Sequence, residues 1–391
     1  MYAKWARKNG KEQTEEGFET WKKSFIEVLS IDPDAPFQLE LTPLADLDPQ
    51  ELVIQKMGLD PMPKAEVQKA ILKQNKERGK LTARETPAWP PHMGTNIDFR
   101  VHPYSPVTPV KDQANCGSCY MFGCVAALEC YLSLFVVGGP LGTSIAVQPL
   151  LSCGVGRPRT NGCQGGNQYT TCTDILTGCF QSGGGVFKDD GVPPYKYAFL
   201  DAHTSSECDF ECACARQMTP ACIENKATGS CNHLMPKCST YGDSRLGCAY
   251  TGNPQMLPLT KPSLRTQIIF FPNESYATRD QVYYDTLREY GPFPVTVKAG
   301  MTTNSNTQKQ GNNPWPLYKA GLLEPPPTEK YDTVTPNHML LLVGAVDGAW
   351  ICKNSWSTDW GDQGYVYIPR GAMWGKCGAW GIVGAEPIVF I

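Results

Sequence analysis

No cysteine precedes Cys116, and all 17 lie between it and Cys377. Histidine is scarce: five occur in 391 residues, so candidates for imidazole chemistry can be weighed one by one. Neither sign of charge dominates. Lys and Arg number 35 against 38 Asp and Glu, a formal charge of −3, which argues against nucleic acid or an anionic membrane as partner. No uninterrupted run of about 18 apolar residues occurs, so no bilayer span is expected. The opening "MYAKWARKNGKEQTEEGF" lacks the apolar core of a secretory signal, and no internal repeat is found.

What is present is the composition of a globular chain, 41% hydrophobic and 19% charged, long enough for one large or two ordinary domains. Cysteine at this density implies an oxidising compartment and a disulfide framework, with one sulfur left over by the odd count. That conflicts with the missing signal. The expectation is that the first residue here lies downstream of, or lacks, a targeting segment, and that the protein is lysosomal, vacuolar or secreted. "NES" at Asn273 fits a glycoprotein. A monomer is expected.

Residues 1–92 differ from the rest. "TEEGFETWKKSFIEVLS" and "KAEVQKAILKQNKERGK" are helix-forming, and Phe18, Trp21, Phe25 and Val28 recur at helical spacing, so one face should dock on something. From Ala88 to Tyr104, "AWPPHMGTNIDFRVHPY" reads as a linker. In the body (93–391), "CYMFGCVAALECYLSLFVV" reads as a buried helix. Residues 200–255 form a Cys-rich segment. "PFPVTVKA", "HMLLLVGAV", "AWICKNSW" and "YVYIPRG" read as strands. A helical half followed by an antiparallel half is an α+β arrangement.

Cys116 and Cys119 stand three apart at the mouth of the apolar helix. Zinc would want a second such pair or a His pair, and none exists. A thioredoxin-like redox pair would want a βαβ context, whereas "VTPVKDQAN" is a loop. Two readings remain. The cysteines are structural, or Cys119 is a nucleophile whose thiolate the helix N-terminus favours. A nucleophilic thiolate wants an imidazole. His92 and His102 lie in or beside the linker, and His203 and His233 lie in the Cys-rich segment. His338 opens an apolar strand, and Asn354 follows with an amide able to hold the ring's tautomer. The residue pattern alone leaves both readings standing.

"DQANCGSCYMF", "NGCQGG", "NHMLLLVGA", "KNSWSTDWGDQGY" and "KCGAW", in this order, resemble the papain-like cysteine proteases, the cathepsin L and cathepsin B family. The resemblance implies a two-lobed α+β fold. Its helical left lobe carries Cys119, its antiparallel β-barrel right lobe carries His338 and Asn354, and a cleft lies between them. It further implies Cys119 as nucleophile, His338 as its imidazole partner, Asn354 as orienting amide and Gln113 as oxyanion donor. Trp356 would cover the Asn354–His338 contact. Gly165, Gly166 and the Asn337 carbonyl would meet an extended substrate, and Ile382 would floor an apolar S2 pocket. Cys116 would pair with Cys163 and Cys153 with Cys208, leaving Cys119 free and twelve cysteines for six further bridges. The activity implied is peptide hydrolysis through a thiolate–imidazolium pair and an acyl-enzyme, on polypeptide substrates, without metal or organic cofactor. Residues 1–92 would be an inhibitory propeptide lying along the cleft, cut near Glu85–Ile97, and released faster in acid as carboxylates lose their partners.

The chain departs from the family in places. Tyr120 stands where Trp is commoner, and Thr42 and Leu44 stand where the propeptide usually has Asn and Phe. His338 follows Cys119 by more than two hundred residues, against a family interval of about 130–150. The excess maps to two insertions, residues 200–255 and 301–335, the first of them read as surface decoration stapled by disulfides. A cathepsin B-like exopeptidase and a non-catalytic papain-like binding module are the alternatives.

Overall fold

The computed structural model describes residues 1–78, 95–147, 150–151, 162–177, 185–187, 256–258, 265–269, 276–299, 313–324, 335–370, 382 and 387–391. Cys153, Cys208, His203, His233, Asn273 and the segment 200–255 lie outside them.

The N-terminal region opens with α1 (Tyr2–Lys8) and α2 (Glu15–Ser30). Thr14 caps α2, its hydroxyl accepting from the Gly17 amide. Trp21 is buried with Tyr2 and Trp5, while Phe25 and Val28 pack at the edge of that cluster beside Leu317. Phe18 joins the same face at its rim, 38% exposed with its ring centroid 5.4 Å from that of Tyr2. Next come β1 (Phe37–Leu39), α3 (Pro49–Lys56) and α4 (Lys64–Arg78).

The left lobe is built on α5 (Cys119–Leu132), nearly every residue of which is buried, with α6 (Gln168–Thr177) against it. Disulfides join Cys116 to Cys163 and Cys124 to Cys172. With its final turn to Val137, α5 is long and apolar enough to cross a bilayer by length and composition, at mean hydropathy 1.8. It instead serves as the core helix, with 78% of that window inside the protein. The "buried helix" reading thus placed the element, and the statement that nothing spans a bilayer rested on too strict a definition of an apolar run.

The right lobe is antiparallel. β2 (Ile97–Asp98), β6 (Phe293–Val297), β8 (His338–Val346), β9 (Ala349–Lys353) and β10 (Tyr365–Pro369) form one sheet, with β8 paired to β9, β6 and β2, while the short strands β3 (Gly185–Phe187) and β4 (Met256–Pro258), and β5 (Thr266–Ile268) and β11 (Ile388–Phe390), make two separate pairs. Helix α7 (Tyr276–Tyr290) buries Tyr283 and Leu287 in the same lobe. β8 reads as a continuous apolar run because it is covered on both faces. Met339, Leu341 and Val343 face the α5 core, and Leu340 and Leu342 face the right-lobe core.

Two expectations are corrected here. The stretch read as a linker contains β2, and Ile97 and Phe99 are fully buried, because two apolar residues sufficed to pair the chain with β8. Within 301–335, read as an insertion, residues 313–324 are built into the core through Trp315, Leu317, Tyr318 and Leu323. Trp315 stacks on Trp360, and β7 (Tyr318–Gly321) pairs with β1.

Candidate active site

Cys119 is the first residue of α5 and is fully buried. His338 begins β8, also fully buried, and its Nε2 lies 2.8 Å from Asn354 Oδ1. An amide oxygen only accepts, so this contact puts the ring proton on Nε2 and leaves Nδ1, which makes no hydrogen bond, as the free nitrogen. The Ser355 amide donates to the same Asn354 oxygen at 2.8 Å. Trp356 covers the pair, its ring centroid 4.7 Å from that of His338.

Gln113 is buried in the loop before α5. Its Oε1 accepts from Ser355 Oγ at 2.7 Å, which turns Nε2 toward the groove. That Nε2 donates to the Cys116 carbonyl at 2.7 Å and to the Lys56 carbonyl at 3.1 Å. Lys56 belongs to α3, so the N-terminal region has placed a carbonyl on the expected oxyanion donor.

The following residues cross the groove. The Gly58 amide donates to Cys119 Sγ at 3.3 Å. On one wall, Gly166 N donates to Gly58 O at 2.8 Å and Asp60 N to Gly166 O at 2.9 Å. On the other, Leu59 N donates to the Asn337 carbonyl at 3.1 Å. Gly166 and Asn337 thus grip an extended backbone, in a parallel pairing on the Gly166 side. The glycines are needed for space. A Cβ on Gly58 would overlap the Gly117 carbonyl, one on Gly166 would overlap the Tyr120 ring, and one on Gly165 (φ 108°) would come within 2.8 Å of Gly58 O. Tyr120 also donates its hydroxyl to Gly162 O at 2.9 Å, holding the loop that carries these glycines. Ile382 is buried, bridged to Val297, in an apolar cluster that includes Met57 and Trp356.

Under this cover neither partner is charged. Burial pushes the Cys119 thiol up to about 11, although backbone amides, Gly58 first, pull it down. Burial pushes His338 down to about 4, against the opposing pull of Asn354 and the Lys56 carbonyl. The implied thiolate–imidazolium pair is therefore not the state of this form, because desolvation outweighs the helix N-terminus. Lys56 Nζ donates to Ala114 O at 2.7 Å and lies 4.0 Å from Asp112, and burial lowers it to about 8.

The sequence reading did not identify Lys56, Met57, Gly58, Leu59, Asp60 or Ser355. Ser355 had a signal in "KNSW". Apart from Lys56 Nζ, the others act through backbone groups, which leave none. The cysteine arithmetic is corrected as well. Among the described residues Cys130 and Cys352 are free along with Cys119, so twelve others do not form six bridges. Both are buried in apolar surroundings that raise their pKa, one in mid-helix and one in a central strand.

A buried thiol at a helix start, an imidazole at the head of β8 bonded to an amide just past the paired strand β9, and a groove that grips backbone are the arrangement of a thiol-dependent peptidase, here with its groove filled. The model of the papain family cysteine proteases matches residues 93–247 and 285–382. The chain belongs to that family. It is 24% identical to cathepsin K of Mus musculus over 361 residues, covering 90% of this chain and 80% of that one. With a cysteine proteinase of Trypanosoma brucei brucei it shares 26% over 269 residues, 68% of this chain but 42% of the relative. In fold it resembles procathepsin L 3 of Tenebrio molitor larval midgut, at TM-score 0.59 and 17% identity, covering 100% of this chain and 97% of that one. It also resembles a recombinant stem bromelain precursor, at TM-score 0.58 and 18% identity, covering 100% and 97%.

Proposed function

We propose that this chain is the zymogen of a papain-family endopeptidase in which Cys119, His338, Asn354 and Gln113 are catalytic. Residues 1–92 are its propeptide and 93–391 its peptidase domain. The observation that carries the reading is the path of Lys56–Asp60, which meets the oxyanion donor, the thiol and both groove walls in succession. Residues that bind one backbone in this way suit another, so polypeptides are the substrates. The N-terminal region continues on both sides of the crossing, in α3 and α4, which supports a groove passable at both ends and an endopeptidase.

With the groove cleared, the proton passes from Cys119 to His338 Nδ1. The thiolate then attacks the scissile carbonyl carbon, and Gln113 Nε2 donates to the oxyanion. Collapse transfers the Nδ1 proton to the leaving amine and leaves an acyl-thioester on Cys119. Water, deprotonated by His338, hydrolyses the thioester and restores the thiol. Asn354 keeps Nε2–H bonded throughout. Ile382 floors an apolar S2 pocket, and the disulfides suit a lysosomal, vacuolar or secreted location.

The test is alkylation by a peptidyl epoxide with mapping by mass spectrometry. The processed enzyme should be labelled once, at Cys119, and Cys119→Ala and His338→Ala should each abolish peptide hydrolysis. Hydrolysis surviving in Cys119→Ala overturns the assignment. A P2 library should prefer Leu or Phe; a preference for Arg would remove Ile382 from the S2 floor.

A further inference from the structure

The helix carrying Cys119, the loop carrying Gln113 and the strand leading to Asn354 converge on one buried carboxylate that the chemistry does not use. Glu129 lies on α5, about 15 Å along the axis from Cys119 at 1.5 Å per residue, and is 1% exposed. Its Oε1 accepts from Lys111 Nζ at 2.8 Å and from Ile145 N at 2.6 Å, and its Oε2 accepts from the Thr108 hydroxyl. Thr108 in turn holds Lys353, whose Nζ donates to its carbonyl at 2.7 Å and its hydroxyl at 3.1 Å. Lys353 is bonded to Asn354 in the chain, and Lys111 stands two residues before Gln113.

Stability alone does not account for this cluster. A buried ion pair is commonly no better than apolar residues of the same volume. Here burial works against Lys353, lowering it to about 8, and against Glu129, whose carboxylate is nevertheless held below the usual range by Lys111 and Lys353. What the cluster does fix is register between the lobes. Asn354 needs that, because its amide is anchored through Oδ1 alone, with Nδ2 unbonded. A small cavity lined by Phe122, Gly123, Glu129, Met339, Lys353 and Asn354 lies at this junction, so side-chain packing between α5 and the strand is incomplete there.

We infer that Glu129 is a positioning residue. Through Thr108 and Lys353 it sets the distance from α5 to the Asn354–His338 pair, and hence the reach of the imidazole to the thiol. This rests on the catalytic assignment proposed above.

The experiment uses the processed enzyme with Glu129→Gln and Thr108→Val, measuring kcat, KM, the pH profile of kcat/KM and epoxide titration of Cys119. Each variant should lose at least tenfold in kcat with KM within twofold. The acid limb should move toward neutral pH as the thiolate loses its well-placed imidazole. Simple removal of a negative charge would move that limb the other way. A lower melting temperature with kcat and both limbs unchanged makes Glu129 purely structural and overturns the inference. If Glu129→Gln does not fold, Thr108→Val decides, since it keeps the Lys111–Glu129 pair and the Lys353 contact with the Thr108 carbonyl and removes only the hydroxyl that joins Glu129 to Lys353; unchanged kcat there overturns the relay. Failure of the wild type to be alkylated at Cys119 would instead strike the catalytic assignment.

Discussion

Ala114, directly after the oxyanion donor, holds φ at 49°, a left-handed conformation that costs a residue with a Cβ about 1–2 kcal/mol. Its carbonyl also receives Lys56 Nζ, so the strained peptide helps to bind the plug. Ala114→Gly relieves the strain at an entropic cost of about 0.5–1 kcal/mol, and the zymogen should melt slightly higher, by about 1–2 °C. A lower melting temperature would show that the strain is not there. Gly58 is the opposite case, a position where a side chain has no room. Gly58→Ala should displace the crossing segment and speed epoxide labelling of the unprocessed chain by at least tenfold; unchanged labelling would mean the backbone relaxes around the methyl. Gln113→Ala removes a donor worth about 3 kcal/mol in comparable sites, so kcat of the processed enzyme should fall on the order of 100-fold with KM little changed.

Helix α3 delivers Lys56 into the groove, and its first turn is secured by a capping box. Asp48 Oδ1 accepts from Gln50 N at 2.6 Å and Glu51 N at 2.9 Å, and Asp48 N donates back to Glu51 Oε2 at 3.2 Å. Asp48→Ala should cost about 1 kcal/mol of helix stability. If α3 must stay wound for the plug to hold, labelling of Cys119 in the unprocessed chain should rise about fivefold. An unaltered rate would place the restraint in the strand-like crossing itself. Elements such as β6, β8, β9 and β10 were legible in the sequence because sheets covered on both faces make dense apolar runs. The strand pair β1–β7 was not, since three or four residues of mixed polarity pair only because tertiary docking brings them together. The four residues proposed as catalytic could be picked out in the sequence because the chemistry they would perform demands particular side chains. That the N-terminal region would lie along the cleft was expected, but which of its residues cross was not legible, because the contacts with the thiol, with Gln113 and with the groove walls are made by backbone groups.

Across the whole molecule, acid release of the N-terminal region has a candidate cause beside the carboxylates expected above. Among the described residues, its ion pairs with the body are weak levers. Glu40–Lys319, at 2.9 Å, is largely solvent-exposed, and Lys56–Asp112 is at the 4.0 Å limit. Burial raises Glu27 to about 7, and that acts in the wrong direction, since a carboxyl protonated more readily in the closed form favours closure as pH falls. Its partial exposure limits the effect. His338 supplies the right sign. In the closed form it titrates at about 4, whereas uncovered it should return to its ordinary range near 6.5 or above. Above that range the ring is neutral in both forms and closure is undiminished. Between about 6.5 and 4 only the open form binds the proton, so each pH unit lowered favours opening by up to about 1.4 kcal/mol, until both forms are protonated. Cys119→Ser removes self-cleavage and isolates the opening step. In that background, hydrogen exchange of the Gly58 and Leu59 amides should quicken progressively from pH 6.5 to 4, after correction for the intrinsic exchange rate. Adding His338→Gln should flatten the dependence. A slope that persists in the double variant would move the acid sensor away from the imidazole and onto the carboxylates.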